Sequence, residues 1–315
     1  MYGKADAVSL TLFLIQCLNG LQYGTLLFLI AAGLTLVFGV MGFINLAHGV
    51  QYMVGAYLVF AFQQLTGNFF VAVVLSLVAA LLLGLLLEYF VFRHLYGRDH
   101  LDQVLATFGI IIFLNELAKV IFGPGTLSIE PPEVLSGSVQ LTEQLRYPVY
   151  RFVTILAGLA VAVLLYITVT RTRVGMLIRA GATTPEMVSA LGVNIQRLFM
   201  IVFGVGAMLA GFAGVIAAPI FAIEPGMGDN ILIIAFVVII IGGVGSIRGA
   251  FLGALMVGLF DTVGRTLLTE GLEVVFPPSF SNQVGPALAS MLIYILMAAV
   301  LVVRPQGLLP AKGAH

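Results

Sequence analysis

Residues 69–87 read FFVAVVLSLVAALLLGLLL, with no charged side chain between Phe69 and Leu87. That is close to the roughly 20 apolar residues a helix needs to cross the hydrocarbon core of a bilayer. In lipid only helices and closed barrels satisfy every backbone group. Barrel strands alternate apolar and polar residues in segments of about 10, whereas this run does not alternate, and neither does Ile231–Ile241. The stretch is therefore a membrane helix.

The rest of the chain agrees with it. Of 315 residues, 61% are hydrophobic and only 9% charged, and the mean hydropathy is +1.13. A soluble domain carries about 25% charged residues and could not wet its surface with so few. The fold class is all-α, a polytopic integral membrane helix bundle whose solvent is the lipid bilayer. Further spans are expected at 69–92, 103–122, 150–170, 197–217, 230–246, 248–264 and 286–303. Residues 8–63 are apolar but punctuated by Gly20, Gly24, Gly33, Gly39, Gly42, Gly49 and Gly55. They hold either two long spans or three shorter ones with a break, giving about 8–10 transmembrane helices in one transmembrane domain over 1–315. Lys4 precedes the first hydrophobic stretch without a small-residue cleavage site, so that stretch is expected to be a retained helix.

Charge in the connections sets the orientation. Arg93 and Arg98 lie in 93–102, Arg171, Arg173, Arg179 and Arg197 in 171–197, and Arg304 and Lys312 in the tail. The positive-inside rule places these in the cytoplasm. The more acidic 123–148, with Glu130, Glu133 and Glu143, and 265–285, with Glu270 and Glu273, then lie outside. The N-terminus is outside with two early spans and inside with three. The long 123–148 loop is either a turn-rich connection or a docking surface for an external partner.

Lys+Arg and Asp+Glu both total 14, so no charge excess argues for nucleic acid. Cys17 is the single cysteine, which excludes an internal disulfide. His48, His94, His100 and His315 have no metal-ligand spacing, and no phosphate-binding GxxxxGK[ST] occurs. No catalytic set emerges and no cofactor is expected; any ATP must be bound and spent by another subunit.

Three segments carry the functional signal. In the first, GLTLVFGVMGFINLAHG (33–49), repeated glycine permits unwinding or close backbone approach, and Asn45 and His48 share a face if helical. Gly39, Gly42, Asn45, His48 and Gly49 either line a solute route, as in broken transporter helices, or serve close packing. In the second, RAGATTPEMVSALGVN (179–194), Thr184 is placed as an N-cap, Pro185 and Glu186 suit a first turn, and Gly192 suits the stop. A short cytoplasmic helix follows over 185–191, either a lever for a soluble partner or a plain surface helix. In the third, GGVGSIRGAFLG (242–253), Gly242, Gly243, Gly245 and Ser246 form a tight inner turn, Arg248 anchors it, and Gly249 and Gly253 make a GxxxG contact pair. Acids within spans have local partners, Glu116 with Lys119 and Asp261 with Arg265, while Glu88 sits near the inner edge. The unpaired mid-membrane acid that an ion-coupled transporter needs is not apparent.

These segments, with VRPQGL at 303–308, resemble in order the LivH-like permeases of branched-chain amino-acid ABC importers, from about Gly20 to Leu309. The resemblance implies a second, LivM-like permease subunit, two cytoplasmic ATPase subunits, an extracytoplasmic substrate-binding protein and a place in the bacterial inner membrane. It implies ATPase coupling through Arg179, Pro185, Glu186, Ala190, Leu191, Gly192 and Asn194. Glu186-Met187-Val188 departs from the Glu-Ala-Ala common in the family. The alternatives are an ion-coupled secondary transporter acting alone, a non-transporting scaffold, and the same importer type specific for urea or short-chain amides.

Overall fold

A computed structural model describes residues 2–141 and 145–310, without the side chains of 2–10. Glu143, Lys312, His315 and the Lys4 side chain lie outside the described residues. The chain is 78% helical. Its helices are α1 (Tyr2–Met41), α2 (His48–Thr66), α3 (Phe69–Phe90), α4 (His100–Phe122), α5 (Val149–Arg171), α6 (Arg173–Thr183), α7 (Pro185–Ala190), α8 (Ile195–Ala217), α9 (Met227–Gly242), α10 (Ile247–Glu273) and α11 (Pro278–Val303). Among the described residues seven helices are long and apolar enough to cross a membrane: α1, α3, α4, α5, α8, α10 and α11. The shorter α2 and α9 lie between them.

Local chemistry explains where the helices begin and end. Asn68 Oδ1 accepts the N–H groups of Phe70 and Val71 at 2.9 and 3.2 Å, starting α3, and Gly67 at φ 65° ends α2 just before it. Asn194 Oδ1 accepts Arg197 N at 2.9 Å to cap α8, and Ser246 Oγ accepts Gly249 N at 3.1 Å to cap α10. Thr184, at ψ 73°, makes no such bond, contrary to its expected capping role, and Pro185 presets the first turn. Two boundaries differ from the sequence reading. Helix α10 runs on to Glu273, and α11 begins at Pro278 and carries Pro286 in its interior, so the outer 265–285 loop shrinks to a tight turn. An interior proline is tolerated in membrane helices because neighbours and ordered waters can re-satisfy the carbonyl it frees.

Helix α1 is the axis of the bundle. Its residues from Leu26 to Leu36 are buried on all sides, wrapped by α10, α8, α5 and α9. A helix apolar all round belongs in such a position. Lipid gives no hydrophobic drive for helix association, so close backbone approach through small residues must supply the contact. Gly24 and Gly258 seat α10 on α1, Gly33 and Gly206 seat α8 on α1, and Gly55 and Gly211 seat α2 on α8. Where nothing packs, glycine has no such role. Gly109 faces open space in α4, and Gly109→Ala is expected to raise stability by between about 0.5 and 1 kcal/mol, read as a higher thermal midpoint in detergent.

The early stretch resolves into two helices, not three. With the basic connections inside, α1 runs inward, so the N-terminal end of the chain lies outside. The outer connection is also more ordered than a plain turn-rich loop. Ser138–Gln140 (β1) pairs antiparallel with Arg146–Pro148 (β2), a small exception to the all-α expectation, and Leu127 exchanges backbone bonds of 2.8 Å with Ile223.

The order α1, α2, α3 recurs as α8, α9, α10 with every helix reversed across the membrane: α3 packs on α8 as α10 packs on α1. Two contacts are reciprocal. Gly33 and Gly206 each face the other's carbonyl, as do Gly49 and Gly228. Self-complementary contacts mark a two-fold relation, here inside one chain, which is the inverted-repeat plan of many transporters.

Candidate functional site

The chain leaves the helix after Met41. Gly42 takes φ 62°, a left-handed conformation open to glycine without strain, and residues 42–47 then rise unwound back into the bundle before α2 starts at His48. Asn45 and His48 therefore do not share a helix face, as a continuous helix would have them do. The His48 ring Nε2 lies 3.0 Å from Ile30 O. A carbonyl only accepts, so Nε2 carries the proton and Nδ1 is left as an acceptor. Ile30 is midway along the buried part of α1, so α2 begins near the middle of the membrane.

The first turn of α9 meets that of α2 there, through Gly49 and Gly228. Both helices point their N-terminal, partly positive ends toward this junction. Beside it both amide atoms of Asn45 have no hydrogen-bond partner, and the Gln51 amide lies next to the His48 ring. Asn45 and His48 are 0% exposed. Each unmet group of this kind costs about 1–3 kcal/mol unless water or solute supplies the bond. The set includes no carboxylate or ammonium, which suits polar or zwitterionic groups.

Sequence reading missed two residues beside it. Asp229 lies exposed in the first turn of α9, and Asn115 Oδ1 of α4 accepts the Gly226 N–H at 3.1 Å. An exposed acid next to the Gly49–Gly228 crossing is costly against hydrocarbon and at home against water or a polar solute. Its only sequence signal is Gly226 and Gly228 flanking Met227 ahead of an apolar run, which reads equally as an ordinary helix start.

The unwound segment is tied to the basic connection between α3 and α4. Ile44 N donates to Gln103 Oε1 at 3.4 Å, and Gln103 Nε2 donates to Leu95 O and Arg98 O, both at 3.2 Å. Phe43 packs edge-on against Phe92 and Tyr96, which contact Phe203 and Phe199 of α8. Tyr96 donates to buried Glu88 at 3.1 Å, with Arg93 3.9 Å from the same carboxylate. Burial, then the Glu88 charge, pushes the Tyr96 phenol up, keeping it a donor. The other acids pair as the spacing implies: Glu116 with Lys119 at 2.6 Å and Asp261 with Arg265 at 2.7 Å.

The inner turn explains the remaining glycines. Gly243 and Gly245 take φ 107° and 78°, and Gly242 and Gly249 touch backbone to backbone, with Gly253 against Val238 O. Gly39 packs on Gly245, so it is a contact between α1 and this turn. The tail pins the turn from outside: Leu308 N and Leu309 N donate to Ile241 O and Gly242 O, both at 2.9 Å, and Gly307 lies on Gly243. Arg248 stacks over Tyr166 and donates to its hydroxyl at 2.9 Å, anchoring the turn to α5.

Beyond the inner ends of α5 and α8, α6 and α7 form an elbow; α6 was not anticipated from the sequence. Thr172 Oγ1 caps α6 from Gly175 N at 3.1 Å, and Gly192 at φ 89° stops the chain after α7. Val188 is buried and fastens α7 to the bundle, while Met187 and Leu191 stand 64% and 79% exposed. Arg179, Pro185, Glu186 and Ala190 are exposed on the same elbow. Asn194 is exposed there too, and its side chain caps α8.

The family of the permease component of the branched-chain amino acid transport system matches residues 16–301. The permease protein BraD of Pseudomonas aeruginosa, named as part of a high-affinity branched-chain amino acid transport system, is 29% identical over 94% of this chain and 95% of its own length. LivH of Escherichia coli K12, of the same description, is 32% identical over 94% and 95%. A probable branched-chain amino acid permease LivH of Methanocaldococcus jannaschii is 27% identical over 91% and 89%. No solved structure matches the chain. With seven helices among the described residues long and apolar enough to cross a membrane, and with these relatives, it is a multi-pass bacterial inner-membrane protein. A match reaching from within α1 to the last turn of α11, around a broken-helix junction and an exposed elbow beyond α5, leaves one conclusion: this chain belongs to the permease component family of branched-chain amino acid transport systems.

Proposed function

We propose that the chain is the membrane-spanning permease subunit of an ATP-driven importer, passing branched-chain or closely related amino acids inward by alternating access. A second permease subunit completes the pathway, two cytoplasmic ATPase subunits bind and hydrolyse the ATP, and an extracytoplasmic binding protein delivers the solute. The chain itself needs no cofactor. The observation that carries this reading is α7, a short helix that holds Met187, and Leu191 just after it, out toward water on the basic face. Two large apolar side chains there have no lipid to cover them, and a soluble partner would. Motion of α7 reaches α8 directly, and through Phe199 and Tyr96 it reaches the unwound 42–47 segment. At the junction, Asn45, His48 and the two helix N-termini offer hydrogen bonds to a zwitterion, and Asp229 offers its ammonium group a counter-charge.

The test is reconstitution with candidate ATPases, second permease and binding protein, followed by uptake of labelled leucine, isoleucine, valine, urea and acetamide. ATP-dependent uptake of the branched amino acids supports the reading. Uptake of urea or acetamide alone changes the substrate class, and uptake without ATPases favours an ion-coupled transporter. Alanine at Arg179 and Glu186 is expected to lower binding-protein-stimulated ATPase activity several-fold while membrane insertion stays normal. Unchanged stimulation in both variants removes them from the coupling surface.

A further inference from the structure

An apolar groove of about 290 Å³ opens between α5 and α10, floored by Phe28 of α1 and walled by Leu159, Val163, Phe251 and Leu252. At its inner end stands Arg248, which also lines a larger cavity of about 750 Å³ at the cytoplasmic ends of α1, α5 and α6. Tyr166, Ile247 and Leu309 are common to both, so the two form one cleft running from the lipid-facing flank to the basic face. Arg179 lines the larger part. Neither lining contains Asp or Glu, and among the described residues no carboxylate lies within ion-pair distance of Arg248 or Arg179. Arg248 spends one bond and one ring face on Tyr166, which orients the guanidinium and leaves most of its fork of donors uncommitted.

Two chemistries are joined here that one class of molecule joins as well. The apolar part wants hydrocarbon, and the basic end wants an anion at the depth where headgroups lie. A protein helix is a poor fit, since a single turn is about 10–12 Å across and 5.4 Å high, larger than the groove. Cytoplasmic leaflets carry anionic lipid, and basic pockets between helices on that side take their headgroups. We propose that this cleft holds an anionic phospholipid of the cytoplasmic leaflet, one acyl chain along the groove and its phosphate on Arg248. The bound lipid braces α5 against α10 just before the chain enters α6, and so steadies the elbow on which α7 is carried. This does not depend on which solute is moved.

The experiment is native mass spectrometry of the full chain, partly delipidated and then offered equimolar phosphatidylglycerol and phosphatidylcholine. Preferential retention of phosphatidylglycerol is expected. Arg248→Gln should cut that retention about five- to tenfold and leave phosphatidylcholine unchanged, while Arg248→Lys keeps most of the preference. Val163→Trp, which fills the groove, should lower retention of both lipids; if it does not fold, the Arg248 pair still decides. Equal retention of the two lipids, or an unchanged preference in Arg248→Gln, overturns the proposal. Displacement of the lipid by inorganic phosphate alone reduces the cleft to a simple anion site and overturns it too. So does crosslinking of a Leu159→Cys variant, in membranes, to another protein chain and not to a photoactivatable phosphatidylglycerol.

Discussion

Gly214→Leu is expected to destabilise the bundle strongly. Gly214 lies where α8 crosses α2, and a Cβ on it would collide with the carbonyl oxygen of Tyr52, with Tyr52 C at 2.9 Å and Ala56 N at 3.0 Å. All three are backbone atoms of a helix, which no rotamer change can move aside. Overpacking a core usually costs about 1–3 kcal/mol, and more when the backbone must shift, against a typical total stability of about 5–15 kcal/mol. The branched leucine adds its own volume to that collision. The measurement is thermal unfolding and size-exclusion behaviour in mild detergent. Loss of the monodisperse peak, or a fall in midpoint of roughly 6–12 °C, is the expected result. An unchanged midpoint would mean that α2 and α8 do not meet as described.

Asn45→Leu should move stability and transport in opposite directions. Asn45 is fully enclosed in the unwound segment and neither of its amide atoms has a partner. Leucine has a similar volume and no polar atoms, so it removes a desolvation cost of about 1–3 kcal/mol and should raise the thermal midpoint. Transport should nonetheless fall about tenfold or more, because one well-formed hydrogen bond to a charged group contributes about 1.5–3 kcal/mol. A purely structural role for Asn45 predicts the reverse pairing, lower stability with transport falling only in proportion to folded protein. Assaying uptake per folded transporter separates the two. Full uptake in a stabilised variant would remove Asn45 from the solute route.

Much of this architecture is written into local sequence. The span 69–87 needs no tertiary information to be a membrane helix, because lipid leaves the backbone no alternative. Asn68, Asn194 and Ser246 act through bonds to residues two or three positions away, so their effects are visible in the sequence itself. The same holds for Glu116 with Lys119 and Asp261 with Arg265. Even the inner turn at 242–249 and the stop at Gly192 follow from glycine chemistry at their own positions.

What the sequence could not decide depends on atoms far apart along the chain. Whether 8–63 holds two helices or three turned on Gly42, where the chain leaves α1, and on Gln103, Phe92 and Tyr96, which hold the segment that follows it. The depth at which α2 begins is set by His48 reaching Ile30 O, and that of α9 by Gly228 reaching Gly49. Asp229 reads as an unremarkable first-turn acid until that crossing brings it to the junction. Thr184 fits the preference for a cap and makes none, since its dihedrals are dictated by the elbow between α6 and α7. The physical reason is common to these cases. Burial in lipid and intrahelical bonding are local terms that composition reports directly, whereas helix breaks, depth and polar junctions are settled by which backbones can approach one another.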